Sequence, residues 1–235
     1  MNIWAIGDLH LSLNHQGELL KPMALFGQNW ENHHQKIADH WKSLVSHDDV
    51  VLIPGDISWA MKLSDLEYDL QYLGALPAKK VLLRGNHDYW WTSARKMREA
   101  FPQSVTFIQN DSFKVAEGLY VCGTRGWSVP GENNYTLDDE RIYRREVMRL
   151  RLSLESVADR QAEIMVMMHF PPTNMIYEKS GFIELFEEFG VRTCLYGHLH
   201  DASIRQQLPA EKWGIEFRLV SADALDFVPY LVREI

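Results

Sequence analysis

Cysteine is scarce in this sequence. Only Cys122 and Cys194 occur among 235 residues, far apart and each inside an apolar segment. They fit buried thiols in a reducing compartment better than a disulfide framework. Positive charge is also in short supply, with 24 basic against 32 acidic residues and a net charge of −8. That balance argues against an extended nucleic-acid partner and leaves a phosphate to a local basic patch or to bound cations. No apolar run is long enough to span a membrane, and no basic, apolar leader opens the chain. The expectation is a cytoplasmic protein with no membrane partner. Internal repeats, low-complexity tracts and linkers are missing too. With 46% hydrophobic residues the chain can build a substantial core, and one domain over 1–235 is expected.

What the sequence does contain is a recurring construction. Val81-Leu82-Leu83 reads as a buried strand, Gly85 lets the backbone turn off its end, and Asn86, His87 and Asp88 follow as a polar tip. Ligands of open α/β sheets sit at such carboxyl ends. The same pattern appears at Ile3–Gly7 before Asp8 and His10, and at Val50–Ile53 before Gly55-Asp56. It returns at Ile164–Met168 before His169, and at Val191–Tyr196 before Gly197, His198 and His200.

Between these runs, residues at helical spacing predict helices: Trp30 to Leu44, Leu63 to Leu73, about 92–100, about 138–158, and a short one over Phe182 to Phe189. The alternation suggests parallel βαβ units. Short strands near 104–109, 112–116 and 119–122 read as a meander, and antiparallel strands are expected near 201–207, 214–220 and 227–232. Residues 11–29 and 123–137 are aperiodic and of functional length. His33 and His34 are adjacent on a helix without a carboxylate, so they read as structural or exposed. The arginines of 141–151 read as a solvated face with glutamate partners.

A single histidine at a strand end is usually structural. Five polar tips on one rim are hard to explain by packing, because clustered carboxylates and imidazoles repel or stay undersatisfied without a cation. Asp8, His10, Asp56, Asn86, His169, His198 and His200 offer oxygen and nitrogen but no thiolate, which suits Mn²⁺, Fe or Zn²⁺ better than Ca²⁺ or Mg²⁺. Seven donors are too many for one ion and suit a pair.

The chain resembles the calcineurin-like metallophosphoesterases. Their blocks Asp-x-His, Gly-Asp, Gly-Asn-His-Asp/Glu, a lone His and Gly-His-x-His read here as Asp8-Leu9-His10, Gly55-Asp56, Gly85-Asn86-His87-Asp88, His169 and Gly197-His198-Leu199-His200, in order from 8 to 200. The resemblance implies an α/β fold, a four-layer αββα sandwich of two mixed β-sheets flanked by helices, with the metal site at the strand C-terminal rim. It implies that Asp8, His10, Asp56 and His200 hold one ion and Asp56, Asn86, His169 and His198 the other, with Asp56 bridging. It further implies phosphoester hydrolysis by in-line attack of a metal-bridging hydroxide, with His87 on the leaving-group side.

The second block departs from the protein phosphatase branch. It continues Ile57-Ser58-Trp59-Ala60-Met61 and lacks that branch's Asp-Arg-Gly, so the expected substrate is a phosphodiester or a small-molecule or nucleotide phosphate. A nuclease is the alternative, and a non-catalytic scaffold the remote one. Substrate contacts are expected from Tyr89 and from Arg125 and Trp127 of segment 123–137; Arg84 reads as structural and His15 as a loop residue.

Overall fold

The computed structural model describes residues 1–235. Eleven strands form two mixed sheets. The first has the order β11-β1-β2-β3-β4, with β1 (Asn2–Ala5), β2 (Val50–Pro54), β3 (Lys79–Leu83) and β4 (Val105–Phe107) parallel and β11 (Tyr230–Glu234) antiparallel at the edge. The second has the order β5-β6-β7-β8-β10-β9. Its β6 (Leu119–Thr124), β7 (Glu163–Met168), β8 (Thr193–Tyr196) and β10 (Ile215–Leu219) are parallel, and β5 (Phe113–Ala116) and β9 (Glu211–Lys212) close the edges antiparallel.

Strand parity builds the layers, because successive side chains point to opposite faces. Ile3, Ala5, Val50, Leu52, Val81 and Leu83 of the first sheet meet Val121, Met165, Met167 and Leu195 of the second in one core. The alternate residues Trp4, Val51, Ile53 and Leu82 face α1 (His33–Leu44), α2 (Glu67–Ala75) and α3 (Ala94–Ala100), whose Ile37, Trp41, Leu70, Leu73 and Met97 complete a second core. Cys122, Val166, Met168, Cys194 and Tyr196 face α4 (Leu137–Glu155) and α5 (Gly181–Phe189). The result is the expected αββα sandwich. Both cysteines are buried free thiols, and burial pushes Cys122 up to about 12.

Three expectations need correction. The strands at 105–107 and 113–122 do not form one meander: β4 joins the first sheet, while β5 and β6 form a hairpin in the second. Residues 201–206 form a 3₁₀ helix rather than a strand. The other two C-terminal segments do not pair with each other, since β10 runs parallel to β8 and β11 crosses to β1 of the opposite sheet. Strand partners are chosen by sheet edges distant in sequence, which local alternation does not encode.

Candidate metal centre

The carboxyl ends of β1, β2, β3, β7 and β8 converge on one rim. Asp8, His10, Asp56 and His169 are almost fully buried there, and Asn86, His87, His198 and His200 are partly so. Four of these residues, Asp8, His10, Asp56 and His198, hold positive φ angles of 56°, 44°, 49° and 73°. Non-glycine residues in this region are strained, and such strain clusters at functional sites. The glycines of the tips permit close approach. A Cβ on Gly85 would collide with Asp56, and one on Gly197 with the carboxylate of Asp8.

Two clusters share this rim. Asp8, His10 and His200 present ligand atoms within 4.8 Å of one another, as do Asp8, Asp56 and His169. The Oδ1 of Asn86 lies 2.6 Å from His169 Nε2 and 3.1 Å from His198 Nδ1, which brings the remaining two donors into the second cluster. Asp56 spends Oδ1 on the His87 backbone N–H, 2.8 Å away. Its Oδ2 stands 3.8 Å from His10 Nε2 and 3.5 Å from His169 Nε2, between the two sets.

The electrostatics fit a cation. Burial, partly opposed by Asp8, pulls His10 down to about 3 and His198 to about 4, and it holds His169 well below the ordinary imidazole value. Neutral imidazoles offer lone pairs. Burial, then Asp88 and Asp8, push Asp56 well above the ordinary carboxylate value, a cost that a nearby cation would relieve. Burial would also lower His200, but Asp8 and Asp223 outweigh it and raise it to about 10. Its Nε2 is buried without a hydrogen-bond partner, 3.3 Å from Asp8 Oδ1. Donors this crowded, with an orphaned imidazole nitrogen among them, form groups that could hold a metal ion.

Two supporting carboxylates complete the frame. Asp88, fully buried, accepts from Ile57 N at 2.9 Å, Ser58 N at 3.2 Å, Gly85 N at 2.7 Å and Trp90 Nε1 at 3.1 Å, clamping the β2 tip to the β3 tip. Asp223 lies 2.7 Å from His200 Nδ1, which fixes the ring and directs Nε2 at Asp8. Sequence reasoning passed over Asp223. The signal was present: Leu219-Val220 is an apolar run ending in Ser221-Ala222-Asp223, a sixth polar tip.

A cavity of about 190 Å³ opens over this cluster, lined by His10, Asp56, His87, His198 and His200 on one side and Met23, Phe26, Trp30 and Trp59 on the other. His87 packs against Trp59 with ring centres 4.4 Å apart and planes tilted by 48°, and its buried Nδ1 has no partner. Lys21 Nζ sits 4.5 Å over the Trp59 ring. Of the residues expected to touch substrate, Tyr89 is half exposed beside His87, at 6.2 Å between rings. Arg125 and Trp127 do not line this cavity. Arg125 faces Glu146 at 3.4 Å and Trp127 donates to Asp139 at 2.9 Å, because α4 offers carboxylates opposite both. His33 is buried, with ring nitrogens 3.2 Å from Trp30 O and 3.0 Å from Leu9 O, a structural role.

The family model described as calcineurin-like phosphoesterase matches residues 1–202. Gene 66 protein of Mycobacterium phage L5 is 32% identical over 87 residues, 37% of this chain and 40% of that protein. Among solved structures, the phosphopantetheinyl hydrolase PptH of Mycobacterium tuberculosis aligns with a TM-score of 0.55 at 18% identity, over 94% of this chain and 88% of that one. The protein of unknown function AQ665 from Aquifex aeolicus aligns with a TM-score of 0.52 at 16% identity, over 97% and 94%. At these identities the two structures speak to the fold alone.

Proposed function

From the premise that this chain belongs to the calcineurin-like phosphoesterases, we propose that it hydrolyses a small-molecule phosphoester with two transition-metal ions. The observation that carries the reading is the convergence of seven oxygen and nitrogen donors from five strand ends. Asp8, His10, Asp56 and His200 would hold one ion and Asp56, Asn86, His169 and His198 the other. Asp56 would be shared, a role supported by its Oδ2 standing 3.8 Å from His10 Nε2 and 3.5 Å from His169 Nε2. Mn²⁺, Fe or Zn²⁺ suits this set, and when bound such a pair supplies the acidity that activates water and the charge that offsets the phosphoryl oxygens.

The chain's own residues do the rest. His87 is outside the proposed ligand set and lines the cavity, which supports a role for it as proton donor to the departing oxygen. Trp59 packs against that ring at 4.4 Å between centres. The opposite wall, Met23, Phe26 and Trp30, is apolar, and its Phe26 ring remains half exposed. We assign this wall to the leaving group, which would then present an apolar or aromatic surface, with Lys21 near the mouth for a further anionic group.

Comparing bis(p-nitrophenyl) phosphate, p-nitrophenyl phosphate and single-stranded DNA tests this reading. Turnover of a small ester that disappears on chelation and returns with Mn²⁺ is expected. Full activity in the metal-free protein would overturn it, and DNA as the far better substrate would make the enzyme a nuclease.

A further inference from the structure

A second cavity, of about 60 Å³, lies apart from the metal pocket and shares no lining residue with it. It sits where the ends of β3, β4 and β6 meet α4, and Arg84, Asn110, Thr124, Arg125, Glu146 and Arg149 line it. At roughly 10–15 Å³ per water, it has room for about four to six water-sized groups, the bulk of one phosphate.

Its charge is unbalanced. Glu146, almost fully buried, is the only carboxylate among the lining residues. Its Oε2 accepts from Thr124 Oγ1 at 2.8 Å. Its Oε1 is shared by three guanidinium groups, Arg149 at 2.8 Å, Arg125 at 3.4 Å and Arg145 at 3.6 Å. One negative charge therefore serves three positive ones. Arg84 adds a fourth; it makes neither an ion pair nor a side-chain hydrogen bond, and Asp88, the carboxylate that most offsets it, already accepts four other hydrogen bonds. The Nε–H groups of Arg84 and Arg125 are both buried and unpartnered. A purely structural network would spend these donors on carboxylates or carbonyls, because a buried unpaired N–H is costly.

We propose that this cavity is a binding site for a phosphate-type oxyanion, free or as the terminal phosphoryl of a ligand, held by Arg84, Arg125 and Arg149. Planar guanidinium forks suit tetrahedral oxyanions, and two N–H donors are already desolvated there. The site backs onto the metal cluster: Arg84 is two residues before Asn86, and the Arg125 carbonyl accepts from His169 N at 3.1 Å and Phe170 N at 2.9 Å. The inference rests on the cavity alone and does not depend on the reaction proposed above.

Calorimetric titration of the metal-loaded and the chelator-treated protein with inorganic phosphate tests it, the second preparation removing any phosphate bound by metal. One site is expected to survive chelation. Arg84→Lys and Arg149→Gln should each weaken it roughly tenfold, about the loss of one charge-assisted hydrogen bond, with melting temperature and metal content little changed. Glycerol phosphate binding more tightly than inorganic phosphate would identify the phosphoryl of an organic ligand as occupant, and the reverse order a free ion. No binding at millimolar phosphate after chelation, or unaltered affinity in both folded variants, would overturn the proposal.

Discussion

Two segments leave strand ends beside the metal cluster, and they treat similar residues in opposite ways. Segment 11–30 carries Lys21, Phe26 and Trp30; segment 124–136 carries Arg125, Trp127 and Tyr135. Each supplies a cation and aromatic rings. The first turns Phe26 and Trp30 into the wall of the metal pocket and rests Lys21 on Trp59 beside it. The second is fastened to α4: Arg125 to Glu146, Trp127 to Asp139, and the Tyr135 hydroxyl to Glu140 at 2.9 Å. The difference lies in the partners. The first turn of α4 carries Asp138, Asp139 and Glu140, with Asp139 also closing the capping box on Thr136, whereas the first turn of α1 has no acid. A loop's composition says what it can bind, and the neighbouring helix decides whether that capacity is already used.

The largest expected effect tests whether chemistry belongs to the pocket side at all. His87→Asn should lower kcat by ~10²–10⁴-fold, the usual worth of a proton donor, while both ions stay bound. Asp56→Asn should instead deplete the metal. Elemental analysis of the two variants separates these outcomes, and a His87 variant stripped of metal would move His87 into the ligand set.

A difference in pH response should follow from the two sets of anchors. Asp69, nearly fully buried, accepts from Leu13 N at 2.8 Å and Ser58 Oγ at 2.5 Å, tying segment 11–30 down. Burial, only partly opposed by those hydrogen bonds, raises its pKa from 3.8 to about 6. The folded state therefore keeps a proton that the unfolded chain releases. The stabilisation is complete below the unfolded value and is lost as pH rises through 6. Asp139, anchor of the other segment, is held low by hydrogen bonds from Thr136 and Trp127. Its contribution runs the other way, present above the ordinary carboxylate value and lost as pH falls. Against wild type, Asp69→Asn should gain stability as pH rises from 4 to 7, by at most about 3 kcal/mol, measured by urea unfolding. A pH-independent difference would place the Asp69 pKa at its ordinary value.

Phe26→Ala should have a smaller effect. The ring is 54% exposed, so folding should lose little. Kinetics should lose more, with kcat/KM for an aryl phosphoester down ~10-fold or somewhat more if the leaving group covers this ring. An unchanged ratio would take the apolar wall out of substrate recognition.

The fold class and the five tips were legible because each depends on a local signal: an apolar run, a glycine, then a polar group. The supporting roles of Asp88 and Asp223 also fall on positions that the pattern marks. The C-terminal topology was not legible. Whether Ile215–Leu219 runs parallel to β8, or Tyr230–Glu234 crosses to β1, depends on which sheet edges stand open. Trp59 was invisible for a related reason. It lies three residues beyond Asp56, yet its place on the His10 and His87 rings is fixed by the packing of segment 11–30, including Met23 Sδ at 3.3 Å from Trp59 Nε1.

The smallest expected effect is the sharpest test of the contrast between the segments. Arg125 stacks on Trp127 at 4.6 Å and is largely buried against Glu146, so its guanidinium faces the second cavity and not the metal pocket. Arg125→Ala should leave kcat/KM on small phosphoesters within about threefold in phosphate-free buffer, a change of less than 1 kcal/mol. Stability should fall by about 1–2 kcal/mol, because the variant loses buried stem packing and one of the pairs on Glu146, while Arg149 at 2.8 Å keeps that carboxylate from being orphaned. Urea unfolding and steady-state kinetics on one preparation report both numbers. If kcat/KM instead collapses at unchanged metal content, segment 124–136 moves in the working enzyme to reach the substrate, and the two segments share the task of reading it.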